Sequence, residues 1–356
     1  LNLGGMELSL GQVCRQAQAP AHEMLRQLPA APGSPGAAWT WGRGSAAVLS
    51  AWAGAGAAAA RKAPTARRAF VDHCETVQRR QRGQLSPEFE SGVSTGWKKL
   101  DEFMRPVRGE VVVVCGQPGS GKSEFMLSLA VNLAKLHGSR TGLCLFEHKC
   151  DELFIQLLEK LNEVHFSLLK HSLERDRQFL SRHFKIISEF SEEATVTEIL
   201  ASAAALVEQD GLENLIIDPY NYIAKPENCR DSETELVSSY MTQIQRFAKK
   251  YKVCVWVVVH PSKGSQTSGN SPSLYDCQGS AHWYNKCDKG IIVVRPNRNP
   301  QQGSTRQVEL QVQKVRDSAS GQLGTVKLTF NPATRGYSDS ENEPELRSRE
   351  LLRSHA

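Results

Sequence analysis

Three things are scarce in this 356-residue chain. No apolar run approaches the roughly 20 residues that a membrane-spanning helix needs, and the Ala-rich stretch at 45–60 is too short and small-sided to act as one, so no membrane partner is expected. None of the nine cysteines stands in a Cys-x-x-Cys pair, which removes the spacing of a zinc ribbon. Cys115, Cys144 and Cys254 lie inside apolar runs, as thiols in a reducing compartment do. Acidic residues are nearly missing from the first 66 positions, where only Glu7 and Glu23 occur among Ala, Gly, Pro and Arg. Without hydrophobic periodicity, residues 1–66 cannot bury enough surface to offset ordering entropy. They read as a disordered extension, and equally as an organellar transit peptide. The net charge of +5 permits a polyanionic partner without requiring one.

The hydrophobic fraction of 40% is enough for one sizeable core, and the patterning places it after residue 92. Residues 67–91 read as a linker in which 67–83 can form a short helix with a basic end. From there, β-branched apolar runs alternate with amphipathic stretches. GEVVVVCG (109–116) has the continuous apolar character of a strand buried on both faces, and a helix presenting Phe125, Met126, Leu129, Leu133 and Leu136 follows. Further strands are expected at TGLCLFE (141–147), FKIIS (184–188), NLIID (214–218) and VCVWVVVH (253–260). Helices are expected from Asp151, after the Thr195/Glu198 capping box, and over 233–250. This alternation predicts an α/β fold, a mostly parallel sheet with helices on both faces. GIIVVR, RQVELQVQKVR and GTVKLTF are closely spaced and are expected to extend the sheet edge as antiparallel strands. Residues 339–356 read as a polar tail.

The motif with the most chemistry is GQPGSGKS, comprising Gly116, Gln117, Pro118, Gly119, Ser120, Gly121, Lys122 and Ser123. It fits G-x-x-x-x-G-K-[ST] and falls between an expected strand and an expected helix, the context in which that pattern binds nucleotide phosphates. Backbone N–H groups at a helix N-terminus wrap phosphate oxygens, Lys122 meets the terminal phosphates and Ser123 ligates Mg²⁺. ATP is therefore the expected substrate and Mg²⁺ the expected cofactor. A second metal-side carboxylate belongs at a strand's C-terminal end, and Asp218 closes LIID there; a plain turn-opening Asp before Pro219 is the competing reading. Glu147 ends the strand after the P-loop helix, where a carboxylate can orient and deprotonate an attacking water.

The ordered set GVSTGWKKLDEFM, GQPGSGKSEF, LFEHK, IIDPYN, VVVHP, GSAHWYNKCDKGIIVVR and QKVRDSASGQLG, spanning 92–338, resembles the DnaB-type replicative helicases, and among them the Twinkle-type organellar helicases of plants and algae. The resemblance implies a RecA-like P-loop NTPase fold in a homo-hexameric ring. It also implies 5′-to-3′ movement on single-stranded DNA driven by ATP hydrolysis, in a mitochondrion or plastid. Position by position, it assigns Glu147 as catalytic base and His260 as sensor of the γ-phosphate. Lys314 and Arg316 become cations reaching a neighbouring subunit's nucleotide, and Arg295 and Phe330 become contacts to the base. The polar stretch Pro261–Gly279 corresponds to a loop lining the DNA channel, with Lys263, Gly264, Ser265 and Asn270 as DNA-binding candidates. Trp283 and Tyr284, just beyond it, are expected to pack rather than to stack on bases. No primase-like region is visible upstream, so priming is not expected. Two other classes share part of this pattern: a RecA-like recombinase, which would exchange strands without unwinding, and a small-molecule kinase, whose ATP hydrolysis would be indifferent to DNA.

Overall fold

The structure is a computed structural model that describes residues 92–169, 173–187, 194–226, 229–262, 273–279, 281–296 and 306–339, with the backbone alone at 2–3 and 6–7. Contacts divide the chain into two units, 1–82 and 83–356. In the first, Asn2–Leu3 pairs antiparallel with Met6–Glu7.

Among the described residues, the second unit is built on nine strands: β1 (Val111–Cys115), β2 (Thr141–Leu145), β3 (Phe184–Ile186), β4 (Asn214–Asp218), β5 (Cys254–Val259), β6 (Lys289–Val294), β7 (Gln307–Val315), β8 (Gly324–Asn331) and β9 (Gly336–Ser338). They form one sheet in the order β9-β8-β7-β6-β1-β5-β4-β2-β3. The six from β6 to β3 run parallel, and β7, β8 and β9 add antiparallel pairs. The helices described around the sheet are α1 (Lys98–Asp101), α2 (Lys122–His137), α3 (Cys150–Asn162), α4 (Glu174–His183), α5 (Val196–Asp210), α6 (Glu233–Tyr251) and α7 (His282–Lys286). Among the described residues, no helix is long and apolar enough to cross a membrane.

The pleat explains why the central strands carry unbroken apolar runs. Val112 and Val114 of β1 join a core with α2, α3 and α4, whereas Val111, Val113 and Cys115 join a second core with α5, α6 and Trp283. Each face must be covered, so every position is apolar, and burying each valine contributes about 1.5–3 kcal/mol. β7 instead alternates, with Val308, Leu310 and Val312 buried and the residues between them partly exposed. An antiparallel extension covered on one face has this pattern.

Two expectations need correction. GIIVVR is not an antiparallel edge strand: β6 lies parallel to β1, pairing Lys289 with Val112 and Ile292 with Cys115. β5 and β6 both run parallel to β1, on either side of it, so the connection between them is a crossover rather than a hairpin. Leu136 is 57% exposed rather than part of the core face: it lies in the last turn of α2, which ends one residue later at His137, with Gly138 as C-cap in the left-handed region at φ 63°. The Thr195/Glu198 capping box forms with both of its bonds, and Ser232/Glu235 opens α6 in the same way.

Candidate nucleotide-binding site

β1, β4 and β5 end at one edge of the sheet, and the loops leaving that edge converge on the N-terminus of α2. The loop 116–121 can turn there only with glycine at key points. A Cβ on Gly116 would sit 2.4 Å from Val293 O and 2.8 Å from Ser120 Oγ, and Gly121, the N-cap of α2, has φ 95°. The Lys122 ammonium folds back across the loop, donating to Gly116 O at 2.7 Å and to Gln117 O at 3.1 Å.

These elements enclose a cleft of about 390 Å³ lined by Pro118, Gly119, Gly121, Lys122, Ser123, Glu124, Glu147, Asp218 and His260. The P-loop serine and lysine, both strand-end carboxylates and the strand-end histidine are thus brought together from four separate stretches of sequence. Asp218 is buried, and burial holds its carboxyl above the usual carboxylate range. A hydrogen bond with Ser123 and the nearby charges of His148 and Lys122 act against that rise, while Glu147 adds to it. Among the described residues, Asp218 Oδ2 finds no hydrogen-bond partner, and a buried acceptor beside the Ser123 hydroxyl suits a cation. The donor set is all oxygen, as Mg²⁺ requires. His260 is half-buried, and desolvation followed by the Lys122 charge lowers its pKa against the opposing pull of Glu147, which favours the neutral ring.

Other expected residues lie outside the cleft wall. Phe330 packs on Tyr337 with ring centroids 5.2 Å apart, and Arg295, just past β6, is close enough to bear electrostatically on Tyr337. Lys314 and Arg316 are at the far end of the sheet, beside the start of β6, where Lys314 pairs with Gly290. Trp283 is fully buried and meets Tyr220 edge-on at 4.6 Å, so it packs as expected. Lys263, Gly264, Ser265 and Asn270 lie outside the described residues.

Two contributors were not evident from sequence. Glu124, next to Ser123, faces the cleft and is paired with Lys160 and Arg335. Lys160 is 5% exposed, and burial lowers its pKa against the raising effect of Glu124. Its position beside Glu159 in the LEKL of the last turn of α3 carries no local sign of burial. Tyr337 touches the P-loop itself, its hydroxyl donating to Gly121 O at 3.4 Å. An isolated tyrosine near a polar tail has no motif to announce it.

Residues 92–339 match the family described as DnaB-like helicase C terminal domain. The chain is 37% identical over 291 residues to the Twinkle homolog protein, chloroplastic/mitochondrial, of Arabidopsis thaliana, covering 79% of this chain and 40% of that protein. It is 23% identical over 260 residues to a probable plasmid replicative DNA helicase of Chlamydia psittaci, covering 69% of this chain and 55% of that one. It therefore spans about half the length, or less, of these curated relatives. Among solved structures, a DnaB-like replicative helicase described with its primase interactions superposes with a TM-score of 0.61 at 19% identity, over 77% of this chain and 68% of that one. A solved ATPase domain superposes with a TM-score of 0.64 at 18% identity, over 77% of this chain and 100% of that one. The fold is accordingly the RecA-like α/β arrangement.

Proposed function

The chain belongs to the DnaB-like helicase C-terminal domain family, and from that premise we propose that residues 92–338 are the ATP-hydrolysing motor of a replicative DNA helicase. The motor moves 5′-to-3′ along single-stranded DNA as a homo-hexameric ring. The observation carrying this reading is a division of labour across the sheet. One edge gathers the P-loop, Glu147, Asp218 and His260 around a single cleft, while Lys314 and Arg316 sit at the other. β1 spans five residues, about 16 Å, so an arginine side chain at its far end cannot serve the phosphates of its own chain. A site needing such a cation takes it from a second copy, as arginine fingers supplied in trans do.

Within one chain, the loop N–H groups and Lys122 bind the phosphates. Glu147 takes the proton of the attacking water, and neutral His260, which lines the same cleft, hydrogen-bonds the terminal phosphate in this reading. Ser123 and Asp218 would hold Mg²⁺, which neutralises phosphate charge when bound. Arg295 and Phe330 are proposed to meet the nucleobase. Lys263, Gly264, Ser265 and Asn270 are proposed to meet the DNA backbone. A mitochondrial or plastid location is proposed from the likeness to the Arabidopsis relative. The recombinase and kinase readings share the P-loop but gain no support from the family match.

ATP hydrolysis by the full chain, measured with and without single-stranded DNA while its mass in solution is recorded, tests this. Hydrolysis that rises with DNA and tracks assembly is expected. Turnover by a monomer, indifferent to DNA, would overturn the reading.

A further inference from the structure

Lys314 and Arg316 do not project freely. The chain between α7 and β6 provides a seat of acceptors for both. Lys314 Nζ donates to Tyr284 O and, at 3.2 Å, to Asn285 O, with its ammonium 4.7 Å from the centre of the Tyr284 ring. Arg316 Nη2 donates to Asn285 O at 3.3 Å and Cys287 O at 3.2 Å, and its backbone N donates to Asp288 O at 2.9 Å. Its Nη1 lies 3.0 Å from Asp288 Oδ1. A register shift between Gly290 and Ile291 sets the pairing of β6 with β7 immediately before these cations, a device that re-aims side chains at a strand end.

Among the described residues, Asp288 is the side chain that pairs ionically with Arg316, and the fold fixes it firmly. Its side chain is 9% exposed, and its Oδ2 accepts from Val111 N at 2.9 Å. Val111 opens β1, the strand that ends in the P-loop. One carboxylate oxygen is thus tied to the central strand, and the other is presented to the guanidinium. The Arg316 side chain remains 46% exposed. A guanidinium carries five N–H donors in a rigid fork, so contacts along one side leave donors for a phosphate on the other.

Resting on the trans arrangement proposed above, we propose that Asp288 is the positioning residue of Arg316: it holds the guanidinium in one orientation, anchored to β1, for the nucleotide of the adjacent copy. A long flexible side chain would otherwise have to be ordered each time a neighbour's phosphates arrive. Preorganisation removes that cost from the catalytic step.

The test uses the full chain as Lys122→Ala, Arg316→Ala, Asp288→Asn and Asp288→Glu. ATP hydrolysis is read with single-stranded DNA for each variant alone and for pairs under conditions where labelled subunits exchange. The asparagine keeps an oxygen for Val111 N–H and loses the charge facing Arg316. Asp288→Asn alone should lose on the order of 10²-fold in kcat with little change in KM, the scale of a misplaced catalytic group. Asp288→Glu should restore part of it. Mixed with Lys122→Ala, which supplies an intact Arg316, Asp288→Asn should recover hydrolysis. Mixed with Arg316→Ala it should not. Full kcat in Asp288→Asn overturns the proposal. Recovery with neither partner marks general damage to the fold, and recovery with both separates Asp288 from Arg316; either result also overturns it. The underlying reading fails separately. If Arg316→Ala alone is fully active, or its mixture with Lys122→Ala gives only the sum of the two, the trans arrangement falls, and the role of Asp288 falls with it.

Discussion

Tyr337 donates its hydroxyl to the carbonyl of Gly121, the N-cap of the P-loop helix, across 216 positions of sequence. Trp97 completes the contact, stacking on Phe125 at 5.5 Å while its Nε1 donates to Tyr337 O at 2.9 Å. The last hairpin of the sheet therefore buttresses the end of α2 that faces the phosphates.

Tyr337→Phe removes that bond and keeps the ring. A single neutral hydrogen bond is worth about 1 kcal/mol net, so ATP affinity should fall by up to about fivefold, with turnover at saturating ATP unchanged. Nucleotide titration alongside steady-state rates decides it. A collapse of kcat would mean that Tyr337 does more than brace the loop.

Lys122→Ala should abolish hydrolysis. The ammonium lies across the mouth of a loop whose other phosphate-facing groups are neutral N–H donors. Retained turnover would remove the P-loop assignment.

Glu147→Gln should leave ATP binding nearly intact and reduce turnover by about 10²–10⁴-fold, because the amide keeps the shape and cannot take a proton. Binding and single-turnover hydrolysis measured on the same preparation separate the two effects. Lost binding with normal turnover per bound ATP would make Glu147 structural.

The capping boxes of α5 and α6 predict an acid limb of stability. The Thr195 backbone N–H and hydroxyl hold Glu198 below its ordinary value of 4.5, and the Ser232 hydroxyl and backbone N–H do the same for Glu235. A depressed folded pKa gives stability that is complete above the unfolded value and lost as pH falls through the folded one. Urea midpoints of the wild type and of Glu198→Gln with Glu235→Gln should differ most at neutral pH and converge well below pH 4.5. A constant gap across the series would exclude these carboxylates as the source.

What could be read in advance was local. GQPGSGKS contains its own geometry: glycines where φ is positive or where the backbone approaches closely, a lysine that folds back over them, and a serine at the start of a helix. The runs VVVV and VCVWVVV announce strands because burial on both faces leaves no polar position. Thr195/Glu198 announces a helix start because both of its bonds close within four residues. Glu147, Asp218 and His260 were legible as strand ends, since a parallel sheet sends such ends to one edge.

Tertiary structure alone decided which of these ends meet, and where the remaining charges go. The sequence does not fix that β1 lies between β5 and β6, yet this order places Asp218 and His260 with Ser123 in one cleft and makes GIIVVR parallel. Lys160 is buried only because Glu124 and Arg335, from distant elements, surround its ammonium. Asp288 faces Arg316 only because β6 and β7 pair antiparallel beside the start of β1. Periodicity and motif spacing reflect the few residues of a turn or a strand. Contacts between residues on separate elements depend on how whole elements pack, and no short stretch of sequence encodes that.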